Sequence, residues 1–312
     1  MTFSSNHLLC LTLVALWICL QSAQKFPRNV CDDENEVCFS YPEDISVIDV
    51  SPLLSVSNDA EKKHVRALID KACRTWGMFY VINHGTVKIS KDFNLAMRDF
   101  FQSTADVKNS VRRQQNNSRG FADDELTKQK VDMKEIFDVG HKPFGSLPDD
   151  AMENRMLDGY NQWPLGPGLE NFRTSVETYY AACSDLAAVL LSAISINLGV
   201  DHAIFGNAFN NHTSFLRLNY YPVVSRPNTS EDFLGISRHT DAGMLTLLFQ
   251  DSNSALEVYS GSKEDNNDGE WFPVRPLEGS LAVNVCDMLQ VISSSSFHSS
   301  PFSSSSSSRS SL

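Results

Sequence analysis

Positive charge is in short supply in this chain. Its 26 Lys and Arg stand against 38 Asp and Glu, for a net charge of −12. Without a long basic run, the sequence is a poor match for nucleic acid or an anionic membrane surface. Cysteine is sparse and odd in number, seven in 312 residues, with no Cys-x-x-Cys pair. That excludes a disulfide scaffold and the common zinc modules. No apolar run reaches the ~20 residues a membrane helix needs, so no stable span is expected. No serine sits in a nucleophile-elbow setting, and no internal repeat is evident. The rest of the composition is ordinary, with 42% apolar and 21% charged residues. That is enough to bury a core in about two domains or one large one.

The two ends differ from the middle. Leu8 to Leu20 is a run of 13 residues, apolar but for Thr12. It is too short to span a bilayer but has the length of a signal-peptide core, followed by Ser22 and Ala23. Residues 1–24 are therefore expected to be a signal peptide and the protein to enter the secretory pathway, with the cytoplasm as the alternative. The start lacks Lys and Arg, which weakens the match. Residues 25–44 form an acidic linker in which Cys31 and Cys38 can pair in an oxidising compartment. Sequons begin at Asn116, Asn211 and Asn228. At the other end, 14 of the 20 residues from Ser293 to Leu312 are Ser. Such a tract buries too little apolar surface to offset its ordering entropy. Residues 292–312 are expected to form a disordered tail, or to reflect a disrupted reading frame.

Between the ends the pattern is legible. Ile45 to Val50 reads as a strand. Val65, Leu68, Ile69, Ala72 and Trp76 line one helix face, and Gly77 stops that helix. Met78 to Ile82 is a second strand, closed by the turn at Asn83-His84-Gly85. Phe93 to Phe101 is a short helix, and residues 110 to 168 read as loop. A long helix runs from about Leu169 to Leu198, with Gly199 placed to cap it. The period then changes to two, with strands at Ser214 to Tyr221, Met244 to Gln250, Leu256 to Ser260, Trp271 to Val274 and Ser280 to Val285. Lys263 to Gly269 reads as a hairpin loop. Helices followed by a run of strands make an α+β fold with a β core and helical support. The units are 45–168 and 169–291.

The chemistry concentrates at His239-Thr240-Asp241. Residues i and i+2 of a strand share a face, so the imidazole and the carboxylate can meet at one point. With a second His, they make the facial triad of a non-haem Fe(II) oxygenase. On the strand from Phe215, period two puts Arg217, Asn219 and Tyr221 on one face. His84, His64, His141, His202 and His212 have turn, helix or loop settings, and Cys73 lies on an apolar helix face.

The chain is similar to the isopenicillin N synthase-like, Fe(II)/2-oxoglutarate-dependent dioxygenases. The likeness rests on ISVIDVS from Ile45, ALIDKACRTWGMFYVINHG from Ala67, RGF from Arg119, KEIFDVG from Lys134 and NQWP from Asn161. LRLNYYP from Leu216, HTDAGMLTLLFQD from His239 and WFPVRPLEGSLAVNVCDMLQV from Trp271 continue it. The resemblance implies a distorted double-stranded β-helix, a jelly-roll barrel flanked by helices. It implies that His239 and Asp241 are iron ligands and that Asn219 and Tyr221 help to hold 2-oxoglutarate. Fe(II), 2-oxoglutarate and O₂ would then serve the oxidation of a small molecule by hydroxylation, desaturation or ring closure, in a monomer. After Gln290 the sequence departs from the family. A second iron His is expected near Phe302, where this chain has a Ser-rich run instead. His298 is the nearest candidate for the third ligand, and Arg309 with Ser311 spells the Arg-x-Ser that grips oxoglutarate in the family. On this reading the last barrel strands are missing and sheet edges are exposed. The alternatives are a non-catalytic relic of the family or an oxoglutarate-independent oxidase.

Overall fold

The computed structural model describes residues 14–21, 45–127, 130–132, 134–141, 159–200, 214–222, 234–252, 256–260 and 270–305. The elements begin with β1 (Val14–Gln21), β2 (Val47–Asp49), α1 (Ser51–Leu54), α2 (Asp59–Thr75), β3 (Met78–Ile82), α3 (Val87–Phe101) and α4 (Ala105–Ser110). The middle carries β4 (Gly120–Ala122), β5 (Leu126–Thr127), β6 (Lys130–Val131), β7 (Glu135–Gly140) and the long helix α5 (Phe172–Asn197). The strand-rich part follows: β8 (Phe215–Tyr221), β9 (Leu234–His239), β10 (Leu245–Gln250), β11 (Leu256–Ser260), β12 (Glu270–Pro273) and β13 (Leu281–Val285). It closes with α6 (Asp287–Ile292) and β14 (Phe302–Ser305).

Local chemistry explains the helices. Asn58 caps α2 by accepting the Glu61 amide at 2.9 Å, and Asp59 and Glu61 favour its positive end. Val65, Ile69, Ala72 and Cys73 form its buried face. Gly77 follows at a φ of +65°, which lets the chain turn directly into β3. Helix α5 is long and apolar enough to cross a bilayer. Eleven of its side chains are buried, however, and it packs against α2 and α3, with Phe93 stacked on Tyr179 at 4.2 Å. It is a core helix.

The strands make two main sheets. The larger runs β2-β3-β13-β10-β1-β8-β7-β4, and the smaller runs β12-β11-β14-β9. Period two divides the larger sheet's faces. Leu216 and Leu218 of β8, Leu245 and Leu247 of β10, and Leu281, Val283 and Val285 of β13 pack with the helices. Met78, Tyr80, Leu248 and Ala282 turn the other way, onto Leu256 and Val258 of the smaller sheet. This is the expected layering of a double-stranded β-helix with helices outside. The described strands form two facing sheets and not one closed barrel.

Several expectations are corrected. The reading of 110–168 as loop misses β4 and β7, which pair with each other and continue through β8. Each is short and flanked by polar turns, so its period was not visible. The last strands are not simply missing. Strand β14, from within the Ser-rich run, pairs with β11 and with β9. The disordered-tail expectation therefore fails from Ile292 to Ser305, where backbone hydrogen bonds and one anchor hold the chain. That anchor is Phe297, fully buried, with the Arg74 guanidinium 5.2 Å from its ring centre. Strand β1 lies between β8 and β10, parallel to both, so the edges expected to be open there are covered. Cys31, Cys38, Asn211, Asn228 and the Lys263 to Gly269 loop lie outside the described residues.

Candidate active site

His239 is the last residue of β9, and Asp241 lies just beyond it. The pair thus does not sit on one continuous strand. Instead the chain bends after His239 and is held by the turn that follows β13. The Asp287 amide donates to the Asp241 carbonyl at 2.9 Å, and the Met288 amide to the Gly243 carbonyl at 3.1 Å. The Thr240 hydroxyl donates to Asp287 at 2.8 Å. The result still brings the two groups together: His239 Nε2 is 3.7 Å from Asp241 Oδ1.

Asp241 is buried, 7% exposed. Burial raises its carboxyl above the usual carboxylate range, against the opposing pulls of the Thr246 hydroxyl, His239 and Arg217. Thr246, on β10, donates to Asp241 Oδ2 and is itself fully buried. A buried carboxylate beside an imidazole, without a strong counter-charge, is what a divalent cation neutralises. The residues fit two of the protein positions around a non-haem iron. Among the described residues no group of three His, Cys, Asp or Glu is close enough to hold a metal.

His298 is not brought to this pair. It is exposed, and its amide donates to the Cys73 carbonyl at the end of α2 at 3.0 Å. Arg309 and Ser311 lie outside the described residues. Asn219 and Tyr221 are both buried on β8, 1% and 4% exposed, on the face turned from the helical core. His84 is structural: its Nδ1 meets the Thr86 hydroxyl at 2.8 Å and its Nε2 the Gly279 carbonyl at 3.1 Å. Burial lowers its pKa below the ordinary histidine value. Cys73 and Cys183 are buried thiols, and burial pushes Cys183 up to about 12.

Sequence reasoning missed three things here. One is an ion-pair cluster. Asp138 on β7 sits opposite Arg217 on β8, and Arg217 reaches it at 2.8 Å. Arg113 also pairs with Asp138, while Glu125 accepts from Arg113 at 2.9 Å and meets Arg217 at 3.1 Å. The lone Asp138 within the otherwise apolar run Ile136 to Val139 of β7 was a signal for it, hidden by the reading of that stretch as loop. The second is Asn284 of β13, 3% exposed, whose amide oxygen and nitrogen both lack a hydrogen-bond partner. With Met78, Thr246, Leu248, Leu256 and Ala282 it lines a space of about 10 Å³ between the sheets. The third is the bracing role of Asn161, whose amide bonds both the N–H and the carbonyl of Gly140 at 2.9 Å.

Comparison with known proteins supplies the family. Residues 45–166 match the N-terminal region model of the non-haem dioxygenases in morphine synthesis, and residues 212–311 match the 2OG-Fe(II) oxygenase superfamily. The chain is 32% identical to homoarginine-6-hydroxylase 2-ODD-C23.2 of Arabidopsis thaliana, over 82% of this chain and 71% of that protein. It is 31% identical to the 2-oxoglutarate-dependent dioxygenase citB of Monascus ruber, over 82% of this chain and 78% of that one. Among solved structures, JOX2 in complex with 2OG, Fe and JA superposes with a TM-score of 0.66 at 26% identity, covering 85% of this chain and 71% of that one. The full-length T7H of Neurospora crassa with alpha-KG shares the fold, with a TM-score of 0.68 at 23% identity over 84% of this chain and 80% of that one. These relatives lend no support to a non-catalytic relic or an oxoglutarate-independent oxidase. The chain belongs to the 2OG-Fe(II) oxygenase superfamily and is a 2-oxoglutarate-dependent dioxygenase, an oxidoreductase of small molecules that works with Fe(II), 2-oxoglutarate and O₂.

Proposed function

We propose that His239 and Asp241 are two of the iron ligands, that Asn219 and Tyr221 contact 2-oxoglutarate, and that the substrate is a small polar molecule of amino-acid type. The observation that carries the ligand assignment is the convergence of His239 Nε2 and the buried Asp241 Oδ1 at 3.7 Å. Bound iron supplies the oxidising power that couples conversion of oxoglutarate to succinate and CO₂ with oxidation of the substrate. The protein's own residues orient and shelter. Thr246 fixes the Asp241 carboxylate by donating to one oxygen, which leaves the other directed toward His239. The buried Asn219 and Tyr221 offer an amide and a phenol to a ligand on the same strand face.

The substrate class is supported by the relatives and by the charged cluster beside Arg217. Several of the similar proteins are homoarginine-6-hydroxylases, from Arabidopsis thaliana, Glycine max and Oryza sativa. Hydroxylation of a C–H bond in a polar, charged small molecule is the reaction we assign first. The test is succinate formation from oxoglutarate by the full chain with Fe(II), with and without homoarginine. The expected result is succinate release that homoarginine stimulates and that His239→Ala and Asp241→Ala each abolish. Turnover retained in either variant would remove that residue from the ligand set.

A further inference from the structure

Asn284 has a fixed place in the larger sheet. Strand β13 lies between β3 and β10, and the two ladders set Met78 on one side of Asn284 and Thr246 on the other. Residues paired in this way carry their side chains on one face. That face looks onto the smaller sheet, where Leu256 packs against Met78, Leu248 and Ala282. Met78, Thr246, Leu248, Leu256, Ala282 and Asn284 together line the space of about 10 Å³ between the sheets. It has room for one group the size of a water molecule.

The Asn284 amide is open at both ends. The residue is 3% exposed, and neither its oxygen nor its nitrogen has a hydrogen-bond partner among the described residues. Thr246, directly opposite, has its proton on Asp241, and the Cys286 Sγ lies 3.3 Å from the same hydroxyl oxygen. The other four lining side chains offer only hydrocarbon and a thioether. A buried amide left open costs stability, and a group from outside the chain can supply the missing partners.

The open amide fixes the chemistry of that guest. Its N–H groups need an acceptor and its oxygen needs a donor, so the matching group carries both. A carboxamide or a ureido group does. No Lys, Arg, Asp or Glu lines the space, so a charged group would lose its water there without gaining a counter-charge.

We propose that Asn284 is a specificity-determining residue that seats the uncharged, hydrogen-bonding end of the substrate's side chain, a carboxamide or ureido group. The inference rests on the reading of the substrate as a small molecule of amino-acid type, and it narrows that reading to side chains with a neutral polar end. The same geometry places that end close to the metal pair, because Asn284 faces Thr246 and Thr246 holds Asp241.

The experiment is calorimetric binding to the full chain with Fe(II) and 2-oxoglutarate under argon, where turnover is blocked. The probes are L-homocitrulline, which ends in a ureido group, and L-homoarginine, which has a cationic guanidinium in its place. The parent chain is expected to bind homocitrulline about tenfold more tightly than homoarginine. Asn284→Leu should bring the ratio near one, and the ligand-free variant should be no less stable than the parent. Asn284→Asp should reverse the order, because it gives the guanidinium a counter-charge. General structural damage weakens both probes alike and leaves their ratio unchanged. A parent that prefers homoarginine, a preference that survives both variants, or binding of neither probe overturns the proposal. A ratio that follows residue 284 in a chain that releases no succinate would count against the iron-ligand assignment alone. Succinate release stimulated by homoarginine, with a ratio indifferent to residue 284, would remove this inference and leave the iron-ligand assignment standing.

Discussion

Phe302 of β14 lies directly opposite His239 of β9 in the antiparallel ladder. Counting along the family pattern from Asp287 also places the second iron His near Phe302, so sequence register and strand register agree. Residues directly opposite in an antiparallel pair carry their side chains on the same face. A His at this position therefore stands beside the His239 imidazole. The variant Phe302→His should bind Co(II) at least about tenfold more tightly than the parent chain, because a third donor completes one face of the metal. Visible absorption of the Co(II) form reads both affinity and coordination. Unchanged affinity would mean that the face opposite His239 does not point at the metal.

The acid limb of stability should be governed by the buried cluster. Burial alone would raise the Asp138 carboxyl, but Arg217 and Arg113 beside it overcome that and hold it below its ordinary 3.8. Glu125 is lowered in the same way, against its burial, by Arg217, Lys134 and Arg113. A carboxylate depressed in the folded state gives stability that is present above its unfolded pKa and lost as pH falls through the folded value. The parent chain should therefore lose thermal stability steeply below about pH 4. Asp138→Asn should start less stable at neutral pH, since it leaves two arginines with one partner fewer, and fall less steeply in that acid window. Melting temperatures from pH 7 to pH 2 make the comparison, and parallel curves would show that Asp138 is not the titrating group.

Much of this was readable in the residues, for identifiable reasons. Strand β3 matched its expected limits because MFYVI is an unbroken apolar run between a glycine and a turn. Helix α2 was visible from the spacing of Val65, Ile69 and Ala72, all of which are buried. His239 and Asp241 were found through their short spacing, although the reason given, a shared strand face, is not the one that brings them together. The bend is made by the Asp287 and Met288 amides, 44 or more residues away in sequence, and no local pattern carries such a contact. The same holds for β1 and β14. An apolar run at the start of a chain carries no sign of which sheet it can join, and a Ser-rich run looks like a tail. Each becomes a strand only because a sheet offers it backbone donors and acceptors, which depend little on side-chain identity. The Asp138 to Arg217 pair likewise needs the β7–β8 register to be seen.

Asn284 makes a separate, local prediction. Both polar atoms of its buried amide lack a partner, and an unpaired buried amide costs about 1–3 kcal/mol. Val has a similar size and suits a strand. Asn284→Val should therefore raise the unfolding free energy of the ligand-free chain by about 1 kcal/mol or more. Denaturant titration with an unchanged slope would establish it. A destabilised variant would show that the amide is paired, for example through a water in the small adjoining space.

Strand β1 sets the fate of the N-terminal run. It pairs through Ala15 to Gln21 with β8 on one side and through Val14 to Cys19 with β10 on the other. Removing it would expose two inner strands of an eight-stranded sheet, with their unpaired N–H and carbonyl groups. A chain starting at Gln24 should thus aggregate or lose its thermal transition, whereas the full chain stays soluble. The processed N-terminus decides the matter independently. Intact mass of the protein purified from its own cells should include residues 14–21. A mature protein beginning after Gln21 that is monodisperse and folded would return this segment to the role of a cleaved leader, and would support entry into the secretory pathway.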